Sequence, residues 1–405
     1  MDGMRALPAL CFALAAIGCN APPTPPFPDW THSSGPQPAT AGAENLAQAA
    51  RDAERICASD LDRVYFTPGR RAKIVQALQG PLSRVCSLGT EDVALQSRVA
   101  RPFEPLPLQR GWWLLGQALA WRIEASVRGA KWDEAISDAV AATRFGLALG
   151  SGSATDAALG LAIVDRARQS ILPGIANMGA GELGKLADGL RAAHDARPPL
   201  AAVVENEHAA MLAAVQETQD AYRENRLASL SEKLGRDVGP AIAYLEGMRR
   251  SDVRKRPDYF EGFAEEAEEV ARCWSRCATL NAKQRANGPK PKLASERPWR
   301  RFARHFFGSV DPLFPLRDTT LARTRLLILH SLVLRHIKVR GAAPASLAEF
   351  PESVAVDPYT GELLVYRSEG IEFRLYSVGE NLKDDGGETD QEFQFPDLRL
   401  ETELL

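Results

Sequence analysis

The side chains best suited to chemistry in this chain of 405 residues lie in a few short stretches, and the densest is at its end. From Glu380 to Leu405 there are nine acids against two bases, and the run passes through Gly386-Gly387. Three or four oxygen-bearing side chains within ten residues, beside flexible glycines, can wrap a hard cation at roughly 2.3 to 2.6 Å per ligand. The same composition also suits a solvated acidic tail. A second stretch, Glu205-Asn206-Glu207-His208, has the E-x-x-H spacing that di-iron bundles use on each of two helices. One copy supplies only part of such a site, so an exposed or capped helix face is expected there. His330 and His336 stand in an apolar stretch and read as packed edges rather than ligands. The spacings H-E-x-x-H, G-x-S-x-G and G-x-x-x-x-G-K-[ST] do not occur.

The elements that would carry these residues begin with an N-terminal address. Arg5 precedes an uncharged run, Ala6 to Gly18, which is short for a bilayer span and has the shape of a secretory apolar region. Its last four residues, Ala16-Ile17-Gly18-Cys19, resemble the lipobox of bacterial lipoproteins. That resemblance implies a signal peptide over residues 1–19, lipidation of Cys19, and a membrane anchor in the cell envelope; an ordinary cleaved signal is the alternative. Residues 20–43 hold seven prolines in 24 positions. Proline fixes φ and removes a donor, so this stretch reads as an extended tether.

Export changes what the remaining cysteines mean. Cys57, Cys86, Cys273 and Cys277 are even in number, and in an oxidising compartment that predicts two disulfides with three possible connectivities. Cys273 and Cys277 fall one helical turn apart with their Cβ vectors tilted alike, which strains a local bridge. Cys57 and Cys86 lie at unequal distances from a turn at Thr67-Pro68-Gly69. Long-range bridges from the N-terminal helices to the Cys-Trp-Ser-Arg-Cys helix are therefore expected. A metal site would need C-x-x-C or Cys/His spacings that are not present.

From Glu44 to about Gly341 the pattern is helical, rich in Ala and Leu and punctuated by Gly and Pro. Between Asp258 and Ala286, Phe260, Phe263, Ala267, Val270, Trp274 and Cys277 recur every three or four residues, a stripe that must be buried. Gly111 to Gly146 resembles a tetratricopeptide hairpin through Trp112, Leu115, Gly116, Gly129, Trp132, Ala135 and Ala139. A second hairpin, Ala154–Leu172 and Gly181–Ala193, follows at a different spacing. The reading is an irregular stack of antiparallel helix hairpins over residues 44–317, either presenting a concave binding surface or closing into a compact body. Lys283 to Gly308 holds eight Lys/Arg against one Glu, with Trp299, Phe302 and Phe306 on one side. That stretch reads either as an interfacial helix near anionic headgroups or as aromatics packed on the body.

Residues 318–405 change character. A long apolar helix, with Asp318 able to cap its start and Gly341 its end, precedes short strands at Leu363–Arg367 and Glu372–Val378. Gly341-Ala342-Ala343-Pro344-Ala345-Ser346-Leu347, Asp357-Pro358-Tyr359-Thr360-Gly361 and Leu375-Tyr376-Ser377-Val378-Gly379 resemble the globular part of the major pseudopilins of type II secretion. The resemblance implies a small α+β module. It also implies calcium on the loop after the second strand, with Asn381, Asp384, Asp385 and Asp390 as ligands.

The expected fold class is thus mainly α, ending in that α+β module. A formal net charge of -3 and export together argue against nucleic acid. The expected role is a lipid-anchored envelope component that binds or scaffolds a protein partner. An envelope enzyme with a cleft between helix pairs is the alternative.

Overall fold

The computed structural model of the protein describes residues 40–61, 63, 65–88, 95, 108–229, 243, 245–247, 256–288, 310–387 and 397–400. The signal segment with Cys19, nearly all of the tether, Asp390 and residues 289–308 of the basic stretch lie outside them. Mainly helical architecture is what the chain adopts, with one small antiparallel sheet near the C-terminus. The described helices are α1 (Ala41–Ile56), α2 (Pro68–Ala77), α3 (Gln79–Cys86), α4 (Gln109–Arg128), α5 (Trp132–Ala148), α6 (Ala154–Ile171), α7 (Ala180–Asp195), α8 (Leu200–Arg223), α9 (Arg256–Ala278), α10 (Ala282–Ala286), α11 (Leu313–Arg340) and α12 (Glu352–Ala355). No described helix is long and apolar enough to cross a membrane.

Local chemistry explains most of the boundaries. Thr40 and Thr67 accept hydrogen bonds from the N–H groups of Ala43 and Arg70, both at 3.3 Å, and so start α1 and α2. Pro68 stands in the first turn of α2, where its missing donor costs nothing. Ser153 and Asp156 form a reciprocal capping box on α6. Gly341 ends α11 at φ 77°, a left-handed cap, with its N–H donating to Ile337 O at 2.8 Å. The start of α11 differs from expectation: it begins at Leu313, and Asp318 is a buried residue inside the helix, paired with Arg285. An acid with a buried cationic partner no longer needs the helix N-terminus as its counter-charge.

Helices α4, α5 and α6 pack on one another, α1 lies on α4, and α7 bridges α5 and α11. The α5/α6 contact is very close: a Cβ built on Gly160 would stand 2.1 Å from Gly146 O. Glycine at both positions is what lets the backbones meet. A first core, including Leu46, Trp112, Phe145, Leu186 and Leu326 to Leu329, runs unbroken into Leu347, Val354, Leu375 and Leu400. The C-terminal module therefore shares its core with the helical body, and residue 318 falls within a helix that belongs to both. A second core joins α8 and α9 to Leu313 and Phe314, with Phe260, Phe263, Val270 and Trp274 inside it. These are the residues of the stripe read from the sequence; Cys277, its last member, is half-buried against that core.

Strands β1 (Val365–Glu369), β2 (Glu372–Ser377) and β3 (Leu398–Arg399) form an antiparallel sheet in the order β1-β2-β3. Glu369 pairs with Glu372, so the hairpin loop is Gly370-Ile371, and Gly370 supplies φ 62°. The sheet packs on α11, which is why Leu326 to Ser331 are buried on every side of that helix.

Candidate functional site

The acidic loop leaves β2 at Ser377 and returns at Asp397, the residue before β3. Tyr376 Oη donates to Asp384 Oδ1 at 2.7 Å, and Gly386 N–H donates to the same oxygen at 2.9 Å. These bonds hold the Asp384 carboxyl below the usual carboxylate range. Tyr376 moves the other way, up to about 12, through burial first and the adjacent Asp384 second. Asn381 Nδ2 donates to Asp385 Oδ2 at 2.7 Å, and Asn381 Oδ1 accepts from Lys383 N–H at 2.9 Å. Asn381, Asp384 and Asp385 are thus brought into one loop, and no three His, Cys, Asp or Glu side chains among the described residues yet converge to metal-ligand geometry.

Asp397 was not singled out by the sequence, and it is the most telling member of the loop. It is 2% exposed. Oδ2 accepts from the N–H groups of Asp385, at 3.1 Å, and Gly387, at 2.7 Å. Oδ1 is buried with no hydrogen-bond partner among the described residues. Burial raises the Asp397 pKa, and the charges of Asp385 and Asp384 raise it further. A buried carboxylate oxygen with two acids for neighbours is stabilised by a proton or a cation. Its sequence signal was slight: an acid standing immediately before an apolar strand, twelve residues beyond the cluster.

The cysteines correct the expectation of long-range bridges. Cys57, Cys86, Cys273 and Cys277 are all free thiols. Cys57 and Cys86 belong to the first core and Cys277 to the second, so pairing across them would require the two cores to approach. Cys86 instead has Arg122 as a hydrogen-bond partner, and Cys273 is hydrogen-bonded to Cys277, not joined to it. Burial pushes the Cys57 and Cys86 thiols up and Cys273 to about 11, which suppresses thiolate chemistry. In the E-x-x-H stretch Glu205 is exposed on α8. Glu207 accepts from Ala154 N–H at 2.7 Å at the start of α6, and His208 Nε2 lies 3.4 Å from Glu268. His330 stacks on Phe373, ring centroids 5.0 Å apart. One further spacing, Gly179-Ala180-Gly181-Glu182-Leu183-Gly184, reads G-x-G-x-x-G, but it follows a 3-10 turn rather than a strand and lacks the setting that makes it a dinucleotide loop.

A buried polar cluster ties α7, α11 and the Asp-Pro-Tyr turn together. His194, 1% exposed, has Nε2 at 3.2 Å from Arg325 Nε and Nδ1 at 3.2 Å from Asp195 Oδ1. Two guanidinium donors face the ring, Arg325 Nε at Nε2 and Arg197 Nη1 at 3.1 Å from Nδ1, so the neutral imidazole, which keeps an acceptor nitrogen, is the form that fits. Burial first, then the charges of Arg197 and Arg325, lower the His194 pKa to about 4. Arg325 also donates to Val356 O at 2.5 Å. Next to it Asp357 accepts from Tyr359 N–H at 2.9 Å and Val378 N–H at 3.2 Å, fastening the turn to the end of β2. The motif aspartate thus has a structural role that accounts for its place before Pro358.

Beside the seam where the sheet meets α11 lies an open groove of about 780 Å³. His330, Leu334, Arg367, Ile371, Arg374 and Arg399 line it, and Ile371 is 63% exposed. No family model matches this chain, and no curated protein or solved structure matches it.

Proposed function

We propose that the protein is a lipid-anchored component of the cell envelope that holds a protein partner on its C-terminal module, with calcium bound on the loop beside the sheet. The observation that carries the binding role is the open groove between α11 and the β1–β2 hairpin. An exposed Ile371 among Arg367, Arg374 and Arg399 on one hand and Glu369 and Glu372 on the other offers an apolar anchor within a rim of mixed charge, the composition of a binding face rather than of a closed reaction cleft. Because the module shares its core with the helical body, a partner there would be held rigidly to the whole protein. The anchor is supported by Ala16-Ile17-Gly18-Cys19 after an apolar run and by the proline-rich stretch that follows. Calcium is supported by Asn381, Asp384 and Asp385 lying in the same loop that Asp397 fastens, by the Asp397 oxygen that has no partner among the described residues, and by Asp390 as the further ligand the pseudopilin resemblance implies.

The test is crosslinking in intact cells followed by purification of full-length protein. Wild type should yield a reproducible partner, and Ile371→Asp with Arg374→Glu should lose it at unchanged protein level. Cys19→Ala should release the protein from membranes or leave it unprocessed. A double variant that keeps every crosslink removes the groove from the reading, and unaltered fractionation of Cys19→Ala removes the anchor.

A further inference from the structure

Arg197-Pro198-Pro199 turns the chain from α7 into α8, and a cavity opens there between α5, α6, α8 and α11. It has about 400 Å³ of empty space out to its mouth, with about 30 Å³ that the centre of a water molecule can reach. A single water needs about 10 to 15 Å³ by that measure, so the occupant must be small and slender. Leu147, Leu161, Val203 and Leu321 form apolar walls, and the charged groups on the lining are the guanidinium groups of Arg197 and Arg317. Among the described residues no carboxylate lines the space, and Asp195 acts on Arg197 from outside the lining.

The other cations nearby are committed. Arg285 pairs with Asp318, and Arg325 is held by His194 and Val356 O. Arg197 spends one nitrogen on His194 O at 2.6 Å. Arg317, half-buried in the first turns of α11, makes no hydrogen bond or ion pair among the described residues. Burial and the charges of Arg197, Arg285 and Arg325 bear on it together, and its pKa falls to about 10. A third positive contribution comes from α8, which starts at Leu200 on the cavity wall with no side-chain cap on its N-terminus. The first N–H groups of a helix lack intrahelical acceptors and carry the positive end of its dipole.

Two guanidinium groups and an uncapped helix start around an acid-free cavity call for an anion, and the apolar walls select its kind. We propose that this cavity binds a small carboxylate with a short apolar stem, its oxygens between Arg197 and Arg317 and its stem among Leu147, Leu161 and Leu321. Inorganic phosphate fits worse, because oxygens turned towards leucine would lose water without gaining donors. This site is separate from the groove and from the acidic loop, and it stands whether or not either of them binds anything.

The test uses full-length protein and titration calorimetry with butanoate, with butan-1-ol, butylamine and phosphate as controls. Butanoate should bind saturably and raise the melting temperature. The alcohol and the amine should not bind, and phosphate should bind at least tenfold more weakly. Arg317→Gln should weaken butanoate at least tenfold while leaving the circular dichroism spectrum intact; it removes an uncompensated charge, so the fold should tolerate it. Gly150→Leu should do the same with both arginines in place, because Gly150 lines the cavity and a Cβ there meets only open space. Absence of butanoate binding to wild type overturns the proposal, as does binding that Arg317→Gln leaves unchanged. Equal affinity for phosphate overturns the assignment to carboxylates.

Discussion

His194 should make the protein lose stability on mild acidification. Its imidazole is 1% exposed, meets Arg325 at Nε2 and both Asp195 and Arg197 at Nδ1, and cannot take a second proton without setting an imidazolium against two guanidinium groups. The folded pKa is about 4, whereas an unperturbed histidine titrates near 6.5. Between those values the unfolded chain binds a proton that the folded one refuses, so unfolding becomes easier as pH falls, and the effect is complete below pH 4. From pH 7 to pH 4.5 the linkage amounts to roughly 2 kcal/mol. Buried carboxyls with raised pKa values, such as Asp138, Asp357 and Asp397, work in the opposite sense, since the folded state holds their protons more tightly. A single pH series therefore mixes signs. The remedy is a difference: urea unfolding of wild type and His194→Gln at both pH values. Glutamine keeps an oxygen for Arg325 and does not titrate, while the carboxyl contributions are common to both proteins and cancel. Wild type should lose about 2 kcal/mol more than the variant on acidification. Parallel losses would refute the assignment of a neutral His194.

Three other substitutions or treatments probe separate parts of the molecule. Gly160→Ala should destabilise by about 2 kcal/mol or more in thermal or urea melts, because its Cβ would meet Gly146 O at 2.1 Å across the α5/α6 contact; Gly181→Ala, with nothing within 4 Å, should stabilise by up to about 1 kcal/mol through helix propensity alone. Calcium at about ten times its dissociation constant should stabilise the full-length protein by about 1.4 kcal/mol, more than magnesium does, and Asp397→Asn should melt higher than wild type in chelator while losing most of the calcium increment. Identical wild-type melts in calcium and chelator would return Asn381, Asp384 and Asp385 to a plain acidic turn. Thiol titration of denatured, unreduced protein should count Cys57, Cys86, Cys273 and Cys277 as free, and the native protein should react slowly at the buried Cys57 and Cys273.

What could be read from the sequence follows from how local each determinant is. Periodicity along one helix gave the Phe260 to Trp274 stripe and the all-round burial of Leu326 to Leu329, because a residue's own neighbours decide those. Gly341 as the end of its helix was equally local. The second strand came out within a residue, whereas β3 is two residues long and exists only through Tyr376 and Ser377 on its partner. Asp318 misled because a capping signal and a buried ion-pair signal look alike until Arg285, 33 positions away, is in view. Cysteine parity misled for a related reason: it counts residues without knowing that two cores keep Cys57 apart from Cys277.

The candidate sites are harder still, since each is defined by what a group lacks. Arg317 stands next to Asp318 in the chain and has no ion pair among the described residues, whereas Arg323, six positions on with no acid beside it, has Asp165 as a partner at 3.3 Å. The difference arises only when α6, α8 and α11 close around one arginine and leave the other at a carboxylate. Asp397 and Asp357 make the same contrast within one module. Both are buried aspartates that accept two backbone N–H groups, but Asp357 divides them between its two oxygens, whereas Asp397 receives both on one and leaves the other bare. Where every oxygen has its donor, a buried acid is a fastener, as Asp357 is for the turn before β1. Where one has none among the described residues, as at Asp397, burial raises the pKa and the bare oxygen is stabilised by a proton or by a cation, alternatives that the melts in chelator and in calcium separate.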